Sequence, residues 1–192
     1  MNSKRKIYAK GLHALVCGAY IDFYSWGLLQ KDEQRPNNAF LQSCFSSLSR
    51  SFPLQVANLF DDTQGVLSIK KYLKELQKSH LEKDKKLLKN INGLLKKNED
   101  KLSRLRKKRG NDLAHTNLEI VEDILNGTPK ENRSRKAKES YVTNKEIIEL
   151  LLLGEKIVKA IVVHEMNKSV DPQNEILPII QQDFVKIIKI DP

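Results

Sequence analysis

Apolar residues recur every three or four positions along nearly the whole chain, which is the period of a helix with one buried face. Tyr8, Leu12, Leu15, Val16, Ala19, Phe23 and Trp26 fall on one side of a first helix predicted from Ser3 to Gln30. Lys31 to Asn38, with Pro36, reads as a loop. Phe40, Leu41, Cys44, Phe45 and Leu48 mark a second helix, which Pro53 is expected to break or kink. The stretch Leu54 to Phe60 carries that helix on to Asp61-Asp62-Thr63-Gln64-Gly65, where Asp61-Asp62 reads as a solvated turn. Ser68 has N-cap chemistry for a short helix, Ile69 to Gln77.

A long helix is predicted from Ser79 to Arg109. Leu81, Leu88, Leu95 and Leu102 are spaced seven apart, with Ile91 and Leu105 at the companion positions, where Asp84 and Asn98 also fall. Such a seam faces a core or a coiled-coil partner. Gly110 stands where a glycine ends a helix. Thr116 and Glu119 form a capping box for a helix that stops at Asn126-Gly127-Thr128-Pro129. A polar, basic loop follows over 128–140. Thr143 and Glu146 form a second capping box, opening the most apolar helix, Lys145 to Met166. The tail from Val170 fits either a docked terminal strand or an extended arm.

The expected fold is therefore all-α. The 192 residues read as a single helical domain: N-terminal helices over 1–65, a helix-turn-helix over 66–126, the loop over 128–140, the apolar helix within 141–168 and a tail over 169–192. Composition agrees. Hydrophobic residues make up 40%, enough for a core, while 8 glycines and 6 prolines are few for a turn-rich β-sandwich. Cys17 and Cys44 are too few for a disulfide scaffold or, alone, for a zinc site, and read as buried free thiols of a reducing compartment. The basic start, Lys4-Arg5-Lys6, is followed by an amphipathic helix rather than a signal peptide's apolar stretch. No run reaches the roughly 18 apolar residues of a membrane span. A cytoplasmic protein without a membrane partner is expected.

Charge adds a functional dimension. The net charge is +10, and between Lys78 and Arg109 there are 13 basic and 4 acidic residues. A soluble chain this basic often meets a polyanion, usually nucleic acid, although a merely solvated lysine-rich surface gives the same count. Candidate chemistry gathers just after that basic helix, in Arg109-Gly110-Asn111-Asp112-Leu113-Ala114-His115-Thr116. If one helix ends at Gly110 and another starts at Thr116, Arg109 and His115 flank a single turn. A helix N-terminus there offers free N–H groups and a positive field. An arginine, a neutral imidazole and such a terminus can together hold a phosphodiester and move a proton. A capping turn with a solvated arginine and a packed histidine is the rival reading. His13 and His164 read as structural or exposed. His80 and Asp84 share a helix face but do not by themselves make a metal site.

Arg109-x5-His115, with Ala114 before the histidine, resembles the Arg-x(4–6)-His motif of the HEPN superfamily. The approach to it, Leu54 to Phe60, Asp61, Leu67-Ser68-Ile69 and a long charged helix, is similar to the AbiU-like abortive-infection branch. The resemblance covers roughly Ser47 to Leu125. It implies a HEPN-like antiparallel helical bundle with accessory helices, and a metal-independent endoribonuclease of toxin or abortive-infection type. The RNA would supply its own 2′-hydroxyl nucleophile, with His115 taking the proton and Arg109 stabilising phosphate charge. The products would be a 2′,3′-cyclic phosphate and a 5′-hydroxyl. Gly110 stands where the family carries a polar residue after the arginine, so Asn111 would take that role with the turn shifted by one; Asp112 and Thr116 are supporting candidates. Lys96, Lys97, Lys101, Arg104, Lys107 and Lys108 would track RNA. The resemblance further implies a homodimer with two Arg–His motifs meeting at a two-fold axis, no cofactor or metal, and a possible antitoxin or regulatory protein. The runner-up is a non-catalytic helical module that binds nucleic acid or a protein through the basic helix. A third reading is a HEPN-like scaffold that has lost activity, for which Gly110 speaks.

Overall fold

The computed structural model describes residues 3–31, 37–63, 65–110 and 141–188. The described residues are all-α, with seven helices and no strand. They are α1 (Ser3–Lys31), α2 (Ala39–Leu59), α3 (Ile69–Leu76), α4 (Glu82–Lys97), α5 (Glu99–Lys108), α6 (Asn144–Met166) and α7 (Pro172–Ile188). No described helix is long and apolar enough to cross a membrane.

The local signals largely act as the pattern predicts. Asn38 caps α2, its Oδ1 accepting from the N–H of Phe40 and Leu41 at 3.0 and 3.1 Å. Ser68 caps α3 through the N–H of Lys71. Thr143 and Glu146 close a reciprocal capping box at the start of α6, and Asn167 ends that helix in the left-handed conformation. Pro53 does not break α2: the helix runs through it and buries it.

Three expectations are corrected. The tail is neither strand nor arm; it is the helix α7, docked against α1. The long helix from Ser79 to Arg109 is two helices, interrupted at Asn98 (φ −114°, ψ 13°). The Asn98 side-chain amide donates to the Leu94 carbonyl at 3.0 Å, offering the backbone a competing partner just where Glu99 and Asp100 favour a new N-terminus. Gly110 is not a left-handed stop either. Gly65, at φ 86°, is the only described glycine with positive φ, and the chain passes through residues 109–110 in a widened π-type turn.

Among the described residues, one apolar core draws on side chains between Ala9 and Val162. The seven-residue seam is spent inside it: Ile91, Leu95, Leu102 and Leu105 are buried against the same chain, Leu88 packs at the edge, and Leu81 is exposed. The seam is thus a core face and offers no coiled-coil surface. At Gly154 of α6 an added Cβ would sit 3.0 Å from Leu59 and 3.4 Å from Phe60. This close approach seats the end of α2 on α6 and fixes where the chain enters the Asp61 turn.

A buried ionic network crosses the core. Arg5 of α1 donates to both carboxylate oxygens of Asp84 on α4, at 2.8 and 3.1 Å, and its Nε donates to Glu165 of α6 at 2.7 Å. The Tyr72 hydroxyl of α3 donates to the same Glu165 oxygen at 2.7 Å, and His164 Nε2 lies 2.5 Å from Asp84. Arg5, Asp84, Glu165 and Tyr72 are all buried. Four helices are therefore tied at one point by groups that satisfy each other.

Candidate functional site at the end of the basic helix

Arg109 follows α5 directly, in helical conformation (φ −56°, ψ −48°). Its side chain turns toward the loop that leaves α2. Nη1 lies 2.5 Å from Asp61 Oδ2 and makes a long contact, 3.5 Å, with the Thr63 hydroxyl. Its Nε is buried and has no hydrogen-bond partner among the described residues.

Asp61 departs from the expected solvated turn. It is not a solvated turn residue: it is buried at 6% exposure. Its Oδ1 accepts the N–H of Asp62 at 2.7 Å, the N–H of Thr63 at 3.1 Å and the Thr63 hydroxyl at 2.8 Å. Burial pushes the carboxyl up, but these hydrogen bonds and the Arg109 charge outweigh it and hold Asp61 below the usual carboxylate range. Asp61 is thus a fixed anion that grips one nitrogen of Arg109. Nothing in sequence spacing links residues 61 and 109. The available signal was an acidic residue directly following the buried helix end Leu59-Phe60.

Of the other candidates, Asn111, Asp112, His115 and Thr116 lie outside the described residues, as do the Thr116–Glu119 capping box and the 128–140 loop. The six basic candidates divide. Lys101 pairs with Glu149 of α6 at 2.6 Å. Arg104 bridges Asp100 at 2.9 Å and Glu146 at 2.7 Å, and also donates to the Tyr141 carbonyl at 3.0 Å. These two side chains bind α5 to α6. Lys96, Lys97 and Lys107 are exposed and Lys108 is half-buried. Lys96 also borders a cleft of about 360 Å³ between α3 and α4, together with Lys70 and Lys74. Lys74 reaches Asp62 at 2.7 Å, so this basic cleft adjoins the loop that holds Arg109.

Cys17 and Cys44 are free thiols and half-buried rather than buried. His164 is structural, as the ionic network shows, and Asp84 belongs to that network rather than to a pair with His80. No family model, no curated protein and no solved structure matches this chain.

Proposed function

We propose that the chain is a metal-independent endoribonuclease of the HEPN type. The observation that carries the reading is Arg109: a guanidinium gripped by Asp61 on one nitrogen, with an Nε that has no partner among the described residues, at the end of a strongly basic helix pair and six residues before His115. One nitrogen fixed by a buried anion leaves the guanidinium oriented, so it needs no reorganisation when charge builds on a phosphate oxygen. His115 takes the proton of the RNA 2′-hydroxyl, which attacks the adjacent phosphorus and expels the 5′-oxygen. Asn111 would take the part of the family's polar residue after the arginine, and Asp112 would orient the imidazole. Because each chain supplies one such histidine, a second copy provides the acid for the leaving group, and the active form is a homodimer. The cleft with Lys70, Lys74 and Lys96 extends the RNA path away from the loop.

The test is cleavage of a labelled single-stranded RNA in EDTA by the wild type beside Arg109→Ala and His115→Ala. Cleavage yielding a 2′,3′-cyclic phosphate, lost in both variants, supports the reading. Equal cutting of a substrate with 2′-deoxyribose at the scission point overturns it, as does undiminished activity in either variant.

A further inference from the structure

Away from the Arg109 loop, three side chains with metal-ligating chemistry converge where α7 lies on α1. His13 and Cys17 stand one helical turn apart on the same face of α1, and Glu175 comes from the first turn of α7. One ligand atom from each lies within 4.8 Å of the other two. His13 Nε2 is 3.7 Å from Cys17 Sγ and 3.4 Å from Glu175 Oε2.

Those separations are informative. Nitrogen to carboxylate oxygen at 3.4 Å is about half an ångström beyond an ordinary charge-assisted hydrogen bond. A tetrahedral zinc ion, with bonds of about 2.3 Å to sulfur and about 2.0–2.1 Å to nitrogen and oxygen, spaces its ligands at about 3.6 Å for N···S and about 3.4 Å for N···O. Both of these edges match. The donor set, one imidazole, one thiolate and one carboxylate, suits a borderline ion such as zinc rather than magnesium or calcium, which prefer all-oxygen shells.

The surroundings also fit. The second Glu175 oxygen accepts the N–H of Asp171 at 3.0 Å, which fixes the carboxylate and leaves Oε2 turned to His13. Asp171 is itself held by Lys159 of α6 at 3.0 Å and by Asn174 at 2.7 Å. The Glu175 side chain is 47% exposed, so an ion has an entry path and a water can complete its coordination. We propose that His13, Cys17 and Glu175 form a zinc site that clamps α7 onto α1, with water as the fourth ligand. On binding, the Cys17 thiol gives its proton to solvent and ligates as thiolate.

The experiment uses the full reduced chain, stripped with a chelator and titrated with zinc against a chromophoric indicator. One equivalent is expected to bind tightly and to raise the melting temperature, since zinc favours the state in which the three ligands are assembled. Cobalt(II) is expected to give a thiolate-to-metal charge-transfer band and the intense visible bands of four-coordination. Cys17→Ser abolishes the charge-transfer band and the zinc-dependent rise in melting temperature, while Cys44→Ser keeps both. His13→Ala and Glu175→Gln weaken zinc binding. Each variant's far-UV circular dichroism confirms that the helices persist. Binding of less than one equivalent, an octahedral cobalt spectrum, or Cys17→Ser binding zinc as the wild type does overturns the proposal and leaves the three residues as a polar contact beside a thiol.

Discussion

Arg109 and Arg5 are both arginines facing buried carboxylates, yet they serve opposite ends. Arg5 uses Nε, Nη1 and Nη2 on Asp84 and Glu165, so its guanidinium is spent. Arg109 has a buried N–H without a partner among the described residues. Removing a partner from a closed buried network strands a charge, which costs about 3–5 kcal/mol. Arg5→Met is therefore expected to lower unfolding free energy by that order in urea denaturation, without a specific effect on RNA cleavage per folded molecule. Arg109→Ala also removes a partner from a buried carboxylate, but Asp61 keeps its hydrogen bonds from Asp62 and Thr63. Its midpoint loss is therefore expected to be smaller than that of Arg5→Met, while the cleavage rate per folded molecule falls by about 10²–10³, the usual cost of losing a preorganised charge-stabilising donor. Asp61→Asn keeps the shape of the loop but weakens the grip on Nη1, and its cleavage rate should fall between wild type and Arg109→Ala. A large midpoint shift with Arg109→Ala would show that this arginine, too, is structural.

Among the elements, α5 carries much of the basic charge assigned to RNA, but Lys101 and Arg104 face acids of α6. Lys101→Glu/Arg104→Glu would set like charges opposite Glu149 and Glu146 and loosen α5 from α6. This pair is expected to lower stability, whereas Lys70→Glu/Lys96→Glu in the α3–α4 cleft should spare stability and weaken RNA binding. The salt dependence should flatten by about 0.7 in log–log slope for each lost single-strand phosphate contact. An unchanged slope in the cleft variant would remove that cleft from the RNA path. The same elements explain what the sequence could and could not reveal. Helix identity and the caps at Ser68 and Thr143 were legible because the governing interactions span only a few residues. The polar residues in the seam also carried information: Asp84 marks a buried network and Asn98 a break. What each does was illegible, because Arg5 and His164 lie 79 and 80 residues from Asp84 and leave no local periodicity. The pairing of Asp61 with Arg109, 48 residues apart, was illegible for the same reason. Helix α7 was hidden by Pro178 and by a short apolar run that fits strand and helix alike.

At the scale of the whole molecule, the ionic contacts that join helices set an acid limit on the fold. Hydrogen bonds from Arg5 hold Asp84 well below the usual carboxylate range despite its burial, and Ser79 and His164 add to the effect. Arg104 and the capping-box contacts with Thr143 bring Glu146 down to about 2. Asp61 and Asp171 are lowered as well. A carboxylate whose value is lower folded than unfolded contributes stability that is complete above its unfolded value of about 4. That contribution is lost as pH falls through the folded value. Protonation also removes the negative charge of 24 acidic residues and leaves 34 lysines and arginines to repel one another, which acts in the same direction. The urea midpoint is therefore expected to be flat from pH 7 to about pH 5, to decline below about pH 4.5 and to fall most steeply toward about pH 2. Glu146→Gln removes one titrating group, so its midpoint should start lower at pH 7 and depend less on pH between 4.5 and 2. A midpoint that stays level from pH 5 to pH 2, or a Glu146→Gln curve parallel to the wild type, would show that these interhelix pairs are solvated contacts with little hold on the fold.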